Sequence, residues 1–87
     1  MTELILFTQE TCGACAVQKE QNDGIEETFP DIEVREVDIR ADMETATEYG
    51  VRKTPTTLIY ADGKQINEFI GVVSKEDLED ALRVARS

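Results

Sequence analysis

Cys12-Gly13-Ala14-Cys15 is the segment of the 87-residue chain whose residue types and spacing carry a specific chemistry. Two cysteines three apart at the start of a helix can close a small disulfide ring, and Gly13 and Ala14 are small enough to let the turn tighten. The unpaired N–H groups and the macrodipole at a helix N-terminus favour an anion, here a thiolate. Such surroundings lower a thiol pKa below the value of about 8.5 for free cysteine. Thiolate is the attacking species in disulfide exchange. Cys12, at the exposed end, is expected to be the nucleophile. Cys15, one turn in, is expected to resolve the mixed disulfide.

Two other readings of the same spacing stand beside this one. The pair could be inert buried cysteines, or half of a zinc or iron–sulfur site. Four-ligand sites usually need a second cysteine pair or histidines. The chain has two cysteines and no histidine, so a metal would have to bridge two subunits, and none is expected. The lack of histidine also excludes a His-based triad. A strand before the pair and a helix after it favour redox chemistry. A second feature is Thr54-Pro55-Thr56. Taken alone it is a turn proline heading a strand. With a cis bond it would bend the chain and offer the Thr54 backbone to a partner in β fashion.

The elements that must position these residues follow from apolar patterning. Leu4 to Phe7 is a continuous apolar run, which predicts a strand covered on both faces. A helix should begin near Cys12 or Gly13 and end before Pro30, with a thin stripe of Ala14, Val17, Ile25 and Phe29 and a possible break at Asn22-Asp23-Gly24. Ile32 to Ile39 reads as a second strand whose apolar parity shifts from Ile32 and Val34 to Val37 and Ile39, predicting a bulge or an early end. Asp42 can cap a short helix carrying Met43 and Ala46, with Gly50 as its stop. Thr56 to Tyr60 is a third strand, Asp62-Gly63 a hairpin turn, and Gln65 to Ile70 the returning strand. Ser74 with Asp77 imitates a capping box before a helix that places Leu78, Ala81, Leu82 and Ala85 on one face. The order is β-α-β-α-β-β-α. Helical links between the first three strands predict that they are parallel, with the hairpin adding an antiparallel edge. The result is an α/β fold: a four-stranded mixed sheet with helices on both faces.

Length and charge bound the rest. Two independent cores would each need at least about 50 residues, so residues 1–87 are expected to form a single domain. Nineteen acidic against nine basic residues give a net charge of −10. That argues against nucleic-acid phosphates, which require a basic face, and against an anionic membrane. The acidic excess is ordinary solvated surface, or selects basic partners. Met1-Thr2-Glu3-Leu4 offers no basic n-region, and the apolar run after it is too short for a signal or transmembrane segment. A soluble, cytoplasmic monomer is expected.

In this order and spacing, three segments make the chain resemble the thioredoxin superfamily over nearly its whole length. They are Cys12-Gly13-Ala14-Cys15, then Tyr49-Gly50-Val51-Arg52-Lys53-Thr54-Pro55-Thr56, and finally Asp62-Gly63-Lys64 through Gly71-Val72-Val73-Ser74-Lys75. The second is similar to the family's Tyr-Gly-Val/Ile-Arg segment leading into its cis-proline. The third is similar to its hairpin, glycine and final-helix start. The resemblance implies a thioredoxin-like fold and a thiol–disulfide oxidoreductase that reduces protein disulfides. Cys12 would be its attacking thiol, Cys15 its resolving thiol and Pro55 the cis-proline beside them. Thr54 and Gly71 would give a peptide substrate access, and no cofactor would be needed beyond the Cys12–Cys15 disulfide.

The chain also departs from the family. Thr11 and Ala14 stand where thioredoxins usually carry Trp and Pro. Leu6 replaces the buried acid six residues before the first cysteine. The lysine partner of that acid is absent, Val34 being its nearest counterpart by alignment. Leu6 cannot take the proton that Cys15 must lose, so water or a nearby carboxylate has to. The missing leading strand and helix give the chain a glutaredoxin-like size, yet Gly71-Val72-Val73-Ser74 stands where glutaredoxins hold glutathione with Gly-Gly-Asp/Ser. A thioredoxin-reductase-type electron donor is therefore expected, with a glutathione-linked reductase or a non-catalytic peptide-binding module as alternatives. Glu10 is expected to be a solvated loop charge that would oppose the thiolate if close. Arg52 and Lys53 could offset it. Phe7 should pack in the core, with Tyr49 and Tyr60 at its edges and their hydroxyls in water.

Overall fold

β1 (Thr2–Thr8) contains the apolar run, and Leu4 through Phe7 are all buried in the computed structural model, which describes residues 1–87. Alternation along the strand sends Leu4 to one core and Ile5 and Phe7 to another on the opposite face. The chain continues through α1 (Gly13–Asn22), α2 (Ile25–Thr28), β2 (Glu33–Asp38), α3 (Met43–Glu48), β3 (Thr56–Ala61), β4 (Lys64–Ile70) and α4 (Lys75–Arg86). The sheet order is β2-β1-β3-β4. One core joins Leu4, Ile25, Phe29, Ile59, Leu78 and Leu82, and so unites α2, α4 and the sheet. The other joins Ile5, Phe7, Val37, Val51 and Leu58 on the face that α3 flanks.

Local chemistry sets most boundaries. Gly24, at φ +86°, separates α1 from α2 at the expected break. The carbonyl of Cys12 already accepts a helical bond while its own backbone stays extended, so α1 starts at Gly13. Asp62 and Gly63 both take positive φ, as a two-residue hairpin turn of this handedness requires. Ser74 Oγ accepts the Asp77 N–H at 3.1 Å and opens α4.

Two expectations are corrected and a third is narrowed. β1 and β2 are parallel, but β3 runs antiparallel to β1, and β4 antiparallel to β3. A parallel crossover must carry the chain back along a six-residue strand, about 20 Å. The six residues of α3 rise only about 9 Å, so β3 starts at the end of the sheet where β2 leaves it. Of the two outcomes expected from the parity shift in β2, the early end is found: the strand stops at Asp38, one residue before Ile39, and its register with β1 is unbroken from Glu33, with no bulge. This edge strand instead serves both cores, Val34 packing against one and Val37 belonging to the other. The sheet's irregularity lies between β3 and β4, where Ile66 is the extra residue. Finally, Ala14 and Val17 of the expected α1 stripe are exposed, and Cys15 and Gln18 are buried in their place.

The cap of α3 makes a testable contribution. Asp42 accepts the Thr45 hydroxyl at 2.8 Å and the Thr45 N–H at 3.2 Å, and these bonds hold its carboxyl below the usual carboxylate range. A lowered folded pKa means stability that is present at neutral pH and lost as pH falls through the carboxylate range, about 4 and below. Asp42→Ala is expected to lower the melting temperature at pH 7, and the gap from the parent protein should narrow by pH 3. Thermal melts at the two pH values check this.

Candidate active site

The cysteine pair sits where the loop after β1 turns into α1. Cys12 and Cys15 are joined as a disulfide with their Cα atoms 5.3 Å apart. Cys12 is the N-cap: its Sγ accepts the Cys15 N–H at 3.1 Å and is the partly exposed member, whereas Cys15 is buried. The first turn of α1 carries no acidic residue, so nothing on the helix opposes negative charge at Cys12. Thr11, Gly13 and Ala14 are all exposed around the pair, and beyond its chain neighbours and its own helix backbone nothing lies within 4 Å of where a Gly13 side chain would begin.

Thr54 and Pro55 lie at the same end of the sheet. Thr56, the next residue, pairs with Phe7 near the end of β1 from which the cysteine loop departs. The Thr54–Pro55 bond is cis, Thr54 is half-buried and Pro55 buried. Thr56 Oγ1 donates to the Lys53 carbonyl at 2.7 Å, fixing the approach to the turn. Gly71, distant in sequence, donates its N–H to the Pro55 carbonyl at 2.8 Å and holds φ +92°, a conformation that favours glycine. The Pro55 and Gly71 segments therefore form one edge.

Gln18 ties that edge to the cysteine helix. It is fully buried, donates from Nε2 to the Val73 carbonyl (3.1 Å) and to Asn22 Oδ1 (2.9 Å), and accepts the Val73 N–H on Oε1 (2.7 Å). Gln21 adds a bond from the Lys75 N–H at 2.8 Å. The sequence reading missed Gln18 because it searched α1 for apolar residues. Its spacing of three from Cys15 and four from Asn22 is the signal that places it on the buried face.

Around this frame, Glu10 is exposed and lines a cleft of about 290 Å³ together with Cys12 and Cys15. Arg52 and Lys53 are exposed and do not line that cleft. Leu6 is buried at the centre of the sheet, and its partner on β2 is Glu36, not Val34. On the opposite face Tyr49 packs on Phe7 and Tyr60, with ring centroids 5.7 and 5.6 Å apart. The tyrosine hydroxyls are not left to water alone. Arg35 Nη1 donates to Tyr49 at 3.4 Å, which together with Glu3 raises the Arg35 pKa, and Tyr60 contacts Gln65 at 3.4 Å. Partial burial pushes the Tyr60 hydroxyl upward as well.

The model of the Thioredoxin family matches residues 2–84. The chain belongs to the thioredoxin family. A probable thioredoxin from Methanothermobacter thermautotrophicus is 35% identical over 78 residues, covering 88% of this chain and 87% of the relative. The thioredoxin of Methanocaldococcus jannaschii is 33% identical over 79 residues, with 90% and 88% covered. Among solved structures, a thioredoxin variant from Halobacterium salinarum superposes with a TM-score of 0.91 at 28% identity, over 99% of this chain and 75% of that one. Membership makes the chain a thioredoxin-type thiol–disulfide oxidoreductase with a Cys12–Cys15 redox pair, acting on protein disulfides in cell redox homeostasis. No helix is long and apolar enough to cross a membrane.

Proposed function

We propose that the chain works as a single-domain, monomeric cytoplasmic reductant of protein disulfides, re-reduced by a thioredoxin-reductase-type protein rather than by glutathione. Cys12 attacks the substrate disulfide and Cys15 resolves the mixed disulfide. The Thr54–Pro55 and Gly71 edge receives the substrate's extended backbone. The observation that carries the choice of reductant is the occupancy of Val73. Its segment stands where glutaredoxins present backbone donors to glutathione, but both its N–H and its carbonyl are already bonded to Gln18. Ser74 is likewise engaged as the cap of α4. A net charge of −10 also disfavours a ligand with carboxylates. A protein reductase needs none of these groups, only the exposed Cys12 end and the neighbouring edge.

The couple is expected near the thioredoxin potential of about −270 mV rather than the glutaredoxin range of about −200 to −230 mV. The test is an NADPH-coupled insulin-reduction assay, run in parallel with a thioredoxin reductase and with glutathione plus glutathione reductase. Turnover through the thioredoxin reductase alone is expected. Efficient turnover through glutathione alone would reverse the assignment.

A further inference from the structure

Leu6 stands where the family's buried acid would, and the next strand supplies a carboxylate. Glu36 on β2 stands directly beside Leu6 in register, so its side chain lies on the same face of the sheet. Lys19, one helical turn beyond Cys15 on α1, meets it with Nζ 3.0 Å from Oε1. Cys15, Lys19 and Glu36 all line the cleft of about 290 Å³ that opens beside the disulfide. The cleft is polar and roomy enough for water to connect them.

The other groups at hand are less suited. Asp38 Oδ1 already accepts the N–H groups of Arg40 and Ala41 at 2.9 and 3.2 Å. Glu10 is on the exposed loop before Cys12 and has no ion-pair partner to hold it in the cleft. Thr57, on the far side of Leu6, has a buried hydroxyl without a hydrogen-bond partner, but it does not line the cleft. Glu36 and Lys19 also line a second cleft, together with the charged groups of Asp23, Glu26, Glu27 and Arg35.

We propose that Glu36, held in place by Lys19, accepts the proton of Cys15 during resolution. The inference rests on the roles given to the two cysteines above. The Cys15 Sγ–H proton passes through water in the cleft to the Glu36 carboxylate. The Cys15 thiolate attacks Cys12 Sγ in the mixed disulfide. The Cys12–Cys15 bond forms as the bond from Cys12 to the partner's sulfur breaks. The electron pair leaves on that sulfur, which takes a proton from solvent, and Glu36 later returns its proton to solvent. The chain's dithiol loses two electrons and the partner's disulfide gains them. A half-exposed carboxylate is a weaker acceptor than a buried acid, so its contribution falls below the 10²- to 10⁴-fold typical of positioned bases and is about tenfold.

Single-turnover stopped flow with a quenched peptide disulfide reads release as the concentration-independent phase. Glu36→Gln is expected to slow release about tenfold at pH 7, with Glu36→Asp in between and the initial attack by Cys12 unchanged. The deficit should close at high pH, where a thiol ionises unaided and Cys15 no longer needs an acceptor. Lys19→Met should show a smaller deficit of the same pH dependence. Release unchanged by Glu36→Gln, slowed equally at every pH, or slowed instead by Glu10→Gln would overturn the proposal. Failure of Cys15→Ser to trap a partner would overturn the cysteine roles and this proposal with them, whereas trapping with release indifferent to Glu36 would overturn this proposal alone.

Discussion

Cys15→Ser is expected to hold its protein partners as mixed disulfides on Cys12, and Cys12→Ser to capture none. The two substitutions differ so sharply because the cysteines sit in different surroundings. Cys12 is partly exposed at the N-cap, where its Sγ already accepts the Cys15 N–H and no acidic side chain stands in the first helical turn. Once the disulfide opens, that N–H and the helix dipole are aimed at a developing thiolate. Cys15 is 2% exposed and cannot meet a protein disulfide from outside. Its single accessible reaction is attack on Cys12 Sγ once that sulfur is bonded to the partner. Without that reaction, release of the partner depends on an external thiol, so the adduct should accumulate to near stoichiometry when no added thiol is present. Non-reducing gels followed by mass spectrometry of the adduct identify the linked cysteine. Alkylation of the reduced protein across a pH series gives the second check: Cys12 should react faster and titrate lower. A faster, lower-titrating Cys15 would reverse both roles.

How much of this was legible before the fold was known depends on the range of the interaction. The β1 run, the Asp42 cap with Gly50 behind it, the Asp62-Gly63 turn and the Ser74 cap each depend on neighbours a few residues away, and all were readable from local chemistry. The direction of β3 was not, because it turns on the length of α3 against the length of a strand. The face assignments in β2 misled for a related reason: an edge strand that feeds two cores breaks strict alternation without any bulge. Within the site, the cysteine pair was legible from residue type and spacing, and the cis bond at Pro55 from the family resemblance, but the physical connection of Pro55 to Gly71 was not. That the Gly71 N–H bonds the Pro55 carbonyl, and that Glu36 rather than Val34 stands beside Leu6, are matters of register across the sheet and loops. Leu6 itself could be recognised as a missing acid, whereas the carboxylate beside it required the pairing of β1 with β2.

Gln18→Met is expected to cost about 2–4 kcal/mol of folding stability, a large fraction of the about 5–15 kcal/mol typical of a domain. Methionine has nearly the same length and volume, so the loss would be polar rather than a cavity. In the folded protein Gln18 satisfies both backbone groups of Val73, each at a buried position 55 residues away in sequence. Removing the side-chain amide leaves that N–H and that carbonyl without partners, at about 1–3 kcal/mol for each buried unsatisfied group. For a chain of this length the melting temperature should fall by roughly 10–25 °C. Gln18→Glu is expected to cost at least as much at neutral pH, because its carboxylate can accept the Val73 N–H but faces the Val73 carbonyl at a fully buried position, and the loss should shrink at low pH where the protonated acid can donate. The consequence for the site follows from connectivity. Gly71, two residues before Val73, bonds Pro55, so loosening Val73 frees the edge proposed to receive substrate while leaving the cysteine cap intact. Urea denaturation with an unchanged m-value measures the stability term, and faster hydrogen exchange at the Val73 and Gly71 amides, well before global unfolding, locates it. A Gln18→Met protein as stable as the parent, with both amides still protected, would show that the latch between α1 and the Gly71 edge carries no weight.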